Sequence, residues 1–315
     1  MKKILLLALL LLITTSVTAQ DVHPAGQIYI PVIAKTIDFS FFEQLRTGTE
    51  QAARDFGIRT TFEGPKIGEP LEIQINAFRS ALAQNPQAII LVALDAKALT
   101  PYLEEAQAAG IPVIGMDTGV DSPIVRTTVG IDNYGAGELA AIKMGEILGG
   151  QGQVGVVWLN GNNKVSRERT EGFINTIAAT YPDIEVIPIP YTEDSRAAAA
   201  ETARLVLETY PNIDGLFGMN GNMTEGIIDA LRELNKEGTV TVIGFDSGKT
   251  ITDAIRQGII AGAITQNPVG MGYQSMQTAL QAIRGERLPE FIDTDVFWYD
   301  RFNIDTPEIQ QYLYE

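Results

Sequence analysis

Short aliphatic and β-branched runs alternate with longer segments of helical period, and the alternation occurs twice along the chain. The first set of strand candidates falls at 27–33, 59–62, 88–92 and 112–115, the second at 153–159, 185–189, 215–218 and 239–244. Helical periodicity fills the intervals, at 41–56, 71–84 and 98–109 in the first half and at 136–148, 168–179, 196–208 and 224–233 in the second. Strands that read as continuous apolar runs are buried on both faces, so this order points to parallel sheets covered by helices. Gly57, Gly110 and Gly258 stand just past helical runs, where a left-handed C-cap is expected, and Asn85-Pro86, Tyr181-Pro182 and Tyr210-Pro211 punctuate turns. The expected fold class is α/β, with two doubly wound parallel-sheet lobes.

Two independently folding beads would show a polar, Gly/Ser/Pro-rich join, and the sequence has none. The lobes are instead expected to be tied by three short extended crossings, at 127–132, 264–267 and 291–295. That divides the chain into an N-terminal lobe of residues 20–131 plus 267–293 and a C-terminal lobe of 132–266 plus 294–315. A three-stranded hinge of this kind predicts rigid-body closure around a central cleft.

Lys2 and Lys3, an apolar run from Ile4 to Ile13 and the small residues up to Ala19 have the order of a secretory leader, so residues 1–19 are expected to be a cleaved signal peptide. An uncleaved anchor is the alternative, although the apolar run is short for spanning a bilayer. With no cysteine in the chain, disulfides, a lipoprotein thiol and thiolate metal sites are all excluded. A formal charge of −16, made more acidic by loss of Lys2 and Lys3, disfavours binding to nucleic acid or to anionic membrane surfaces.

At residues 37–57 a strand hands over to an amphipathic helix that opens on the aromatic pair Phe41 and Phe42, at the place where open α/β sheets bind ligands. The same rings suit a core plug, because neighbouring helix positions face different ways. No cofactor, metal site or catalytic machinery is expected. The single histidine, His23, follows the leader, and no nucleophile–base pair is evident. An exported glycoside hydrolase using Asp117 and Asp246 is a remote alternative, and a DNA-binding regulator fails because no basic helix-turn-helix precedes the lobes. Gly150, Gly152 and Gly155 spell a dinucleotide fingerprint but precede a strand rather than follow one.

The segments DFSFFEQLRTG (38–48), AGIPVIGMDT (109–118), VGIDNYGAGELAA (129–141), SRERTEGF (166–173), FGMNGNM (217–223), VIGFDSG (242–248), ITQNP (264–268) and IDTDV (292–296) occur in one order across the whole exported chain. In this the chain resembles the periplasmic sugar-binding proteins of the ribose-binding type, substrate-capturing subunits of ABC importers. The resemblance implies a type I periplasmic binding fold, a monomer in the periplasm and delivery of a small sugar to a membrane permease. It implies that Phe41 and Phe42 flank the sugar ring, and that Asp117, Asn220 and Asp246 exchange hydrogen bonds with its hydroxyls. Arg169 and Gln266 complete the polar ring, a mixture of donors and acceptors suited to hydroxyls.

Three residues in two places depart from that pattern. Phe39 and Ser40 stand where Asn-Pro is usual, and Thr118 follows Asp117 where Arg is common. Lys35, at the end of the first strand, is a candidate to supply the missing cation. Lys35 and the phrase FEGP (62–65) resemble the autoinducer-2-binding branch of the same fold, so a ligand-sensing receptor serving a chemoreceptor or sensor kinase is the alternative reading. Duller roles are open for each residue: Asp117 and Asp246 as helix caps, Asn220 as a turn, Gln266 as a hinge cap, and Arg167 and Arg169 as surface partners of Glu168 and Glu171.

Overall fold

The structure, a computed structural model, describes residues 26–95, 97–120, 122–159 and 164–314. The expected signal peptide and His23 lie outside the described residues. The chain opens with β1 (Val32–Ile33), α1 (Ser40–Phe56), β2 (Phe62–Glu63), α2 (Leu71–Leu82), β3 (Ile89–Leu91), α3 (Thr100–Ala108), β4 (Val113–Met116) and β5 (Val125–Gly130). A second series follows: α4 (Asn133–Leu148), β6 (Gln151–Val157), α5 (Lys164–Thr180), β7 (Asp183–Val186), α6 (Arg196–Thr209), β8 (Gly215–Gly218), α7 (Gly221–Glu233), β9 (Thr241–Phe245), α8 (Lys249–Arg256) and β10 (Gly262–Gln266). The chain ends with α9 (Pro268–Ile283), β11 (Phe291–Asp293), β12 (Val296–Asp300) and α10 (Pro307–Gln310).

Two six-stranded sheets result, in the orders β11-β5-β4-β3-β1-β2 and β12-β10-β9-β8-β6-β7. Position for position the orders correspond, so β4 in one lobe is the counterpart of β9 in the other. The molecule is α/β with two doubly wound lobes. One detail differs from an all-parallel expectation: β12 runs antiparallel to β10 at the edge of the second sheet.

Between the sheets the chain passes three times, after β5, after β10 and after β11. The segments leading to these passages are sheet members rather than free extended pieces. Gly262–Gln266 is buried at every residue and pairs with β9 on one side and β12 on the other. After the second passage α9 returns to pack on α1 and on β3, β4 and β5.

Helix starts follow from caps. Asp132 accepts from the Gly135 N–H at 3.0 Å, so α4 begins at Asn133, earlier than periodicity indicates. Asn220 accepts from the Met223 N–H at 2.9 Å and moves the start of α7 forward to Gly221. Gly57 at φ 67° closes α1, as expected of a left-handed C-cap.

Strand alternation sorts the core into two layers. Val32 and Ile90 face an apolar cluster that continues through Phe41 and Leu45 into the second lobe at Phe217 and Ile264. Ile33, Ile89 and Leu91 point the opposite way, into a smaller cluster with Phe78 and Leu103. Each such side chain contributes ~1.5–3 kcal/mol on burial. Helices in both lobes approach to backbone contact: a Cβ on Gly48 of α1 would strike the Val269 carbonyl, and one on Gly137 of α4 would strike the Arg169 carbonyl.

Candidate ligand-binding site

A cavity of about 340 Å³ lies between the carboxyl ends of the two sheets, at the small end of ligand pockets, which run ~300–1,000 Å³. The first lobe supplies the turn after β1, the start of α1 and the residues after β4. The second supplies the ends of β8, β9 and β10, Leu159 and Asp194 from the turns after β6 and β7, and Val165 and Arg169 from α5. Lys35, Phe41, Phe42, Asp117, Arg169, Asn220, Asp246 and Gln266 all line this cavity.

Helix α1 starts without a side-chain cap, because its N-cap residue is Phe39 (φ −121°, ψ 135°). The lost capping bond costs about 1 kcal/mol and places a third ring at the cleft. Phe41 and Phe42 pack edge-on at 5.2 Å between centroids, and Phe39 lies 6.4 Å from Phe42. Both rings of the pair are buried in the core and face the cavity, so the core and ligand-wall readings hold together. Phe39 also reaches the opposite lobe, since a Cβ on Gly221 would sit 3.4 Å from its ring edge.

Asp117 and Asp246 each follow the last residue of a strand, in left-handed backbone at φ 57° and φ 68°. Non-glycine residues there carry a cost of order 1–3 kcal/mol, and such strain concentrates at functional positions. Each main chain is tied to the neighbouring strand. Asp117 N–H donates to Val129 O at 2.9 Å, and Asp246 N–H donates to Ile264 O at 2.8 Å. Among the described residues, neither carboxylate caps the helix that follows it.

The Lys35 ammonium donates to Asp117 Oδ2 at 3.0 Å and to Thr118 Oγ1 at 2.8 Å, and stands 5.4 Å from the Phe42 centroid. Thr118 donates in turn to Asp117 Oδ2 at 3.0 Å. Among the described residues, the hydrogen bonds to the Asp246 carboxylate come from neutral donors: Gln266 Nε2 and the Tyr314 hydroxyl at Oδ1, both at 2.9 Å, and the Gly221 N–H at Oδ2, at 3.0 Å. Tyr299 donates to the Asp246 carbonyl at 2.7 Å. Burial, then the Asp246 charge, raises both tyrosines well above the usual phenol range, so both stay protonated donors.

Arg169 is buried rather than a surface partner. Its Nε donates to Asn133 Oδ1 at 3.0 Å, a second nitrogen donates to Met219 O at 2.9 Å, and the guanidinium stacks 3.5 Å over Phe245. Burial lowers its pKa while the Asp246 and Asp117 charges oppose the shift, and an arginine remains cationic. Arg167 does not line the cavity.

Asn220 is the N-cap of α7 rather than part of a free turn, and its Nδ2 donates to Asp194 Oδ1 at 3.1 Å. Gln266 donates to Asp246, and its Oε1 has no hydrogen-bond partner among the described residues although it is buried at the cavity wall. A buried acceptor of this kind is costly until a donor reaches it. The site therefore offers cations and amide N–H groups for acceptors, carboxylate and amide oxygens for donors, and aromatic faces for C–H surfaces. Of the three residues that depart from the ribose-type pattern, Phe39 and Thr118 line the cavity. Asp194 and Asn222 also line it, and Tyr314 backs it. Sequence reasoning singled out none of the three: Asn222 stands within the FGMNGNM segment beside Asn220, whereas the segments around Asp194 and Tyr314 carry no motif.

Fold and site together define a two-lobed solute receptor. The family model for the periplasmic binding protein domain matches residues 30–287, and the chain belongs to that family as a ribose-type sugar-binding protein, the solute-binding component of an ABC importer. It is similar to the ribose import binding protein RbsB of Bacillus subtilis, 24% identical over 84% of each chain. It is also similar to the xylitol-binding protein of Mycolicibacterium smegmatis, 25% identical over 78% of this chain and 70% of that one. Among solved structures, an ABC transporter solute-binding protein from Agrobacterium vitis bound with α-D-tagatopyranose superposes with a TM-score of 0.86 at 25% identity, covering 92% of this chain and all of the other.

Proposed function

We propose that the chain, exported to the periplasm by cleavage of residues 1–19, captures one monosaccharide-sized polyol between its lobes as a monomer and delivers it to an ABC permease. The observation that carries this reading is the cavity itself: acids, amides, a buried arginine and aromatic rings drawn from both lobes around one small space. Asp117, Asn220, Asp246 and Gln266 exchange hydrogen bonds with ligand hydroxyls, Arg169 and Lys35 donate to them, and Phe41 and Phe42 cover a C–H face. Ligand contacts available from both lobes at once favour the shut form, which the permease distinguishes by shape.

The carboxylates do not resemble a hydrolytic pair. Asp117 is engaged by Lys35 and Thr118, and Asp246 by Gly221, Gln266 and Tyr314, which supports binding rather than acid–base turnover. The family consists of substrate-binding proteins. The named relatives are import and sugar-binding proteins, which favours transport over the sensing alternative.

Ribose, xylitol and tagatose, named with the relatives, are the first ligands to test. Calorimetry with D-ribose, D-tagatose, D-fucose and xylitol should find at least one that binds with one-to-one stoichiometry. That sugar should also raise the melting temperature, since a ligand at 100 times its Kd adds ~2.7 kcal/mol to native-state stability. Flat heats with the whole panel would contradict the reading.

A further inference from the structure

The acid corner of the second lobe is completed by a part of the chain distant from it in sequence. After α10 the chain returns along the ends of β9 and β10. Thr265 Oγ1 donates to Tyr312 O at 3.0 Å, and Ser247 Oγ donates to Tyr314 O at 3.1 Å while accepting from the Tyr314 N–H at 2.9 Å. The Tyr312 ring stacks on Phe297 at 3.7 Å and 7°. These bonds hold Tyr314, 4% exposed, behind the cavity rather than in its wall. Its hydroxyl meets Asp246 Oδ1, and its ring lies edge-on to Phe41 of the opposite lobe, 6.0 Å between centroids.

We infer that Tyr314 is a positioning residue of the ligand site, its hydroxyl fixing the Asp246 carboxylate and its ring coupling that acid to the aromatic wall of the other lobe. The inference rests on the reading of the cleft as a sugar site. A carboxylate offers about four acceptor positions. Gln266 and Tyr314 occupy Oδ1 and the Gly221 N–H takes one position on Oδ2, which leaves Oδ2 one acceptor position to present to a ligand. Removing the Tyr314 hydroxyl reopens Oδ1 and loosens the rotation of the group. Both the affinity for a hydroxyl in the fitting position and the discrimination against misplaced hydroxyls then fall. A core residue with no such role would change stability and leave discrimination alone.

Calorimetric titration of wild type and Tyr314→Phe with D-ribose, D-tagatose, D-fucose and xylitol tests this. Tyr314→Phe keeps the ring against Phe41. It should weaken the tightest of these sugars about tenfold, the loss expected for one hydrogen bond to a charged group, and narrow the spread of Kd across the panel. Ser247→Ala, which keeps the side chain of Tyr314 but releases its backbone, should narrow the spread by a smaller factor. Unchanged Kd values in Tyr314→Phe overturn the inference, as does weakening of every sugar by one common factor with the ratios preserved. Either result leaves the sugar-binding reading standing, because wild type still binds. Flat wild-type heats contradict that reading itself, and the role of Tyr314 falls with it.

Discussion

Asp117 and Asp246 occupy corresponding places in the two lobes, one residue past β4 and one past β9, with the same left-handed backbone and the same main-chain tie to the adjacent strand. Their surroundings differ. Asp117 is balanced by Lys35, whose side chain is 30% exposed, so its partner is a long flexible stem in contact with water. Asp246 is held by an amide, a phenol and a backbone N–H, all from the protein interior. The first lobe thus carries an adjustable acid and the second a preorganised one. Repeated topology places the groups, and the neighbours decide how rigid each one is.

Substituting the two acids is the strongest way to break this contrast. Asp246→Ala strands three donors as well as removing a ligand acceptor. It should weaken sugar binding by roughly 1.5–3 kcal/mol and lower the melting temperature of the unliganded protein. Asp117→Ala should weaken binding but leave the melting temperature nearly unchanged, because the released Lys35 ammonium turns to water. Equal thermal losses in the two variants would erase the distinction.

Phe41→Ala removes the first-lobe ring that meets Tyr314 and should cost on the order of 1–3 kcal/mol in ligand affinity, read by calorimetry. An unaltered Kd would take the aromatic wall out of the account. The paired glycines sharpen the comparison further. Gly48→Ala and Gly137→Ala both force helices apart and should each cost ~1–3 kcal/mol of stability by denaturant titration. Only Gly137→Ala pushes directly on the Arg169 backbone and should also weaken binding through the guanidinium. A larger binding loss for Gly48→Ala would reverse that assignment. Lys35→Met, which keeps the stem and removes the charge, should have the smallest effect, within about 1 kcal/mol in affinity because the ammonium is partly solvated. Abolished binding there would make Lys35 a principal anchor.

Much of this architecture was legible in the sequence. Continuous apolar runs such as Ile89–Leu91 and Gly215–Gly218 fall where strands were expected, and Gly57 closes α1 as its position indicated. Other elements were not assigned. Gly262–Gln266, expected only as an extended crossing at 264–267, is a buried strand of the sheet, where the polar Thr265 and Gln266 mask the strand signal. Helix α9 opens with Pro268-Val269-Gly270, which reads as loop until Asn267 is seen to accept from the Gly270 N–H at 2.8 Å. β12 is an antiparallel edge strand that an alternating βα pattern does not announce. At the site, the residues singled out from the family resemblance lie around one cavity, whereas Asp194 in its wall and Tyr314 behind it are brought there by tertiary contacts with partners 26 or more positions away. No local period or motif encodes such contacts.

The most direct test of the account is a crystal structure of the protein with the tightest-binding sugar of the panel. The sugar should lie between the lobes, its hydroxyls within hydrogen-bonding distance of both Asp117 and Asp246 and one face against Phe41 or Phe42. A sugar held by one lobe alone, or bound outside this cleft, would contradict the account.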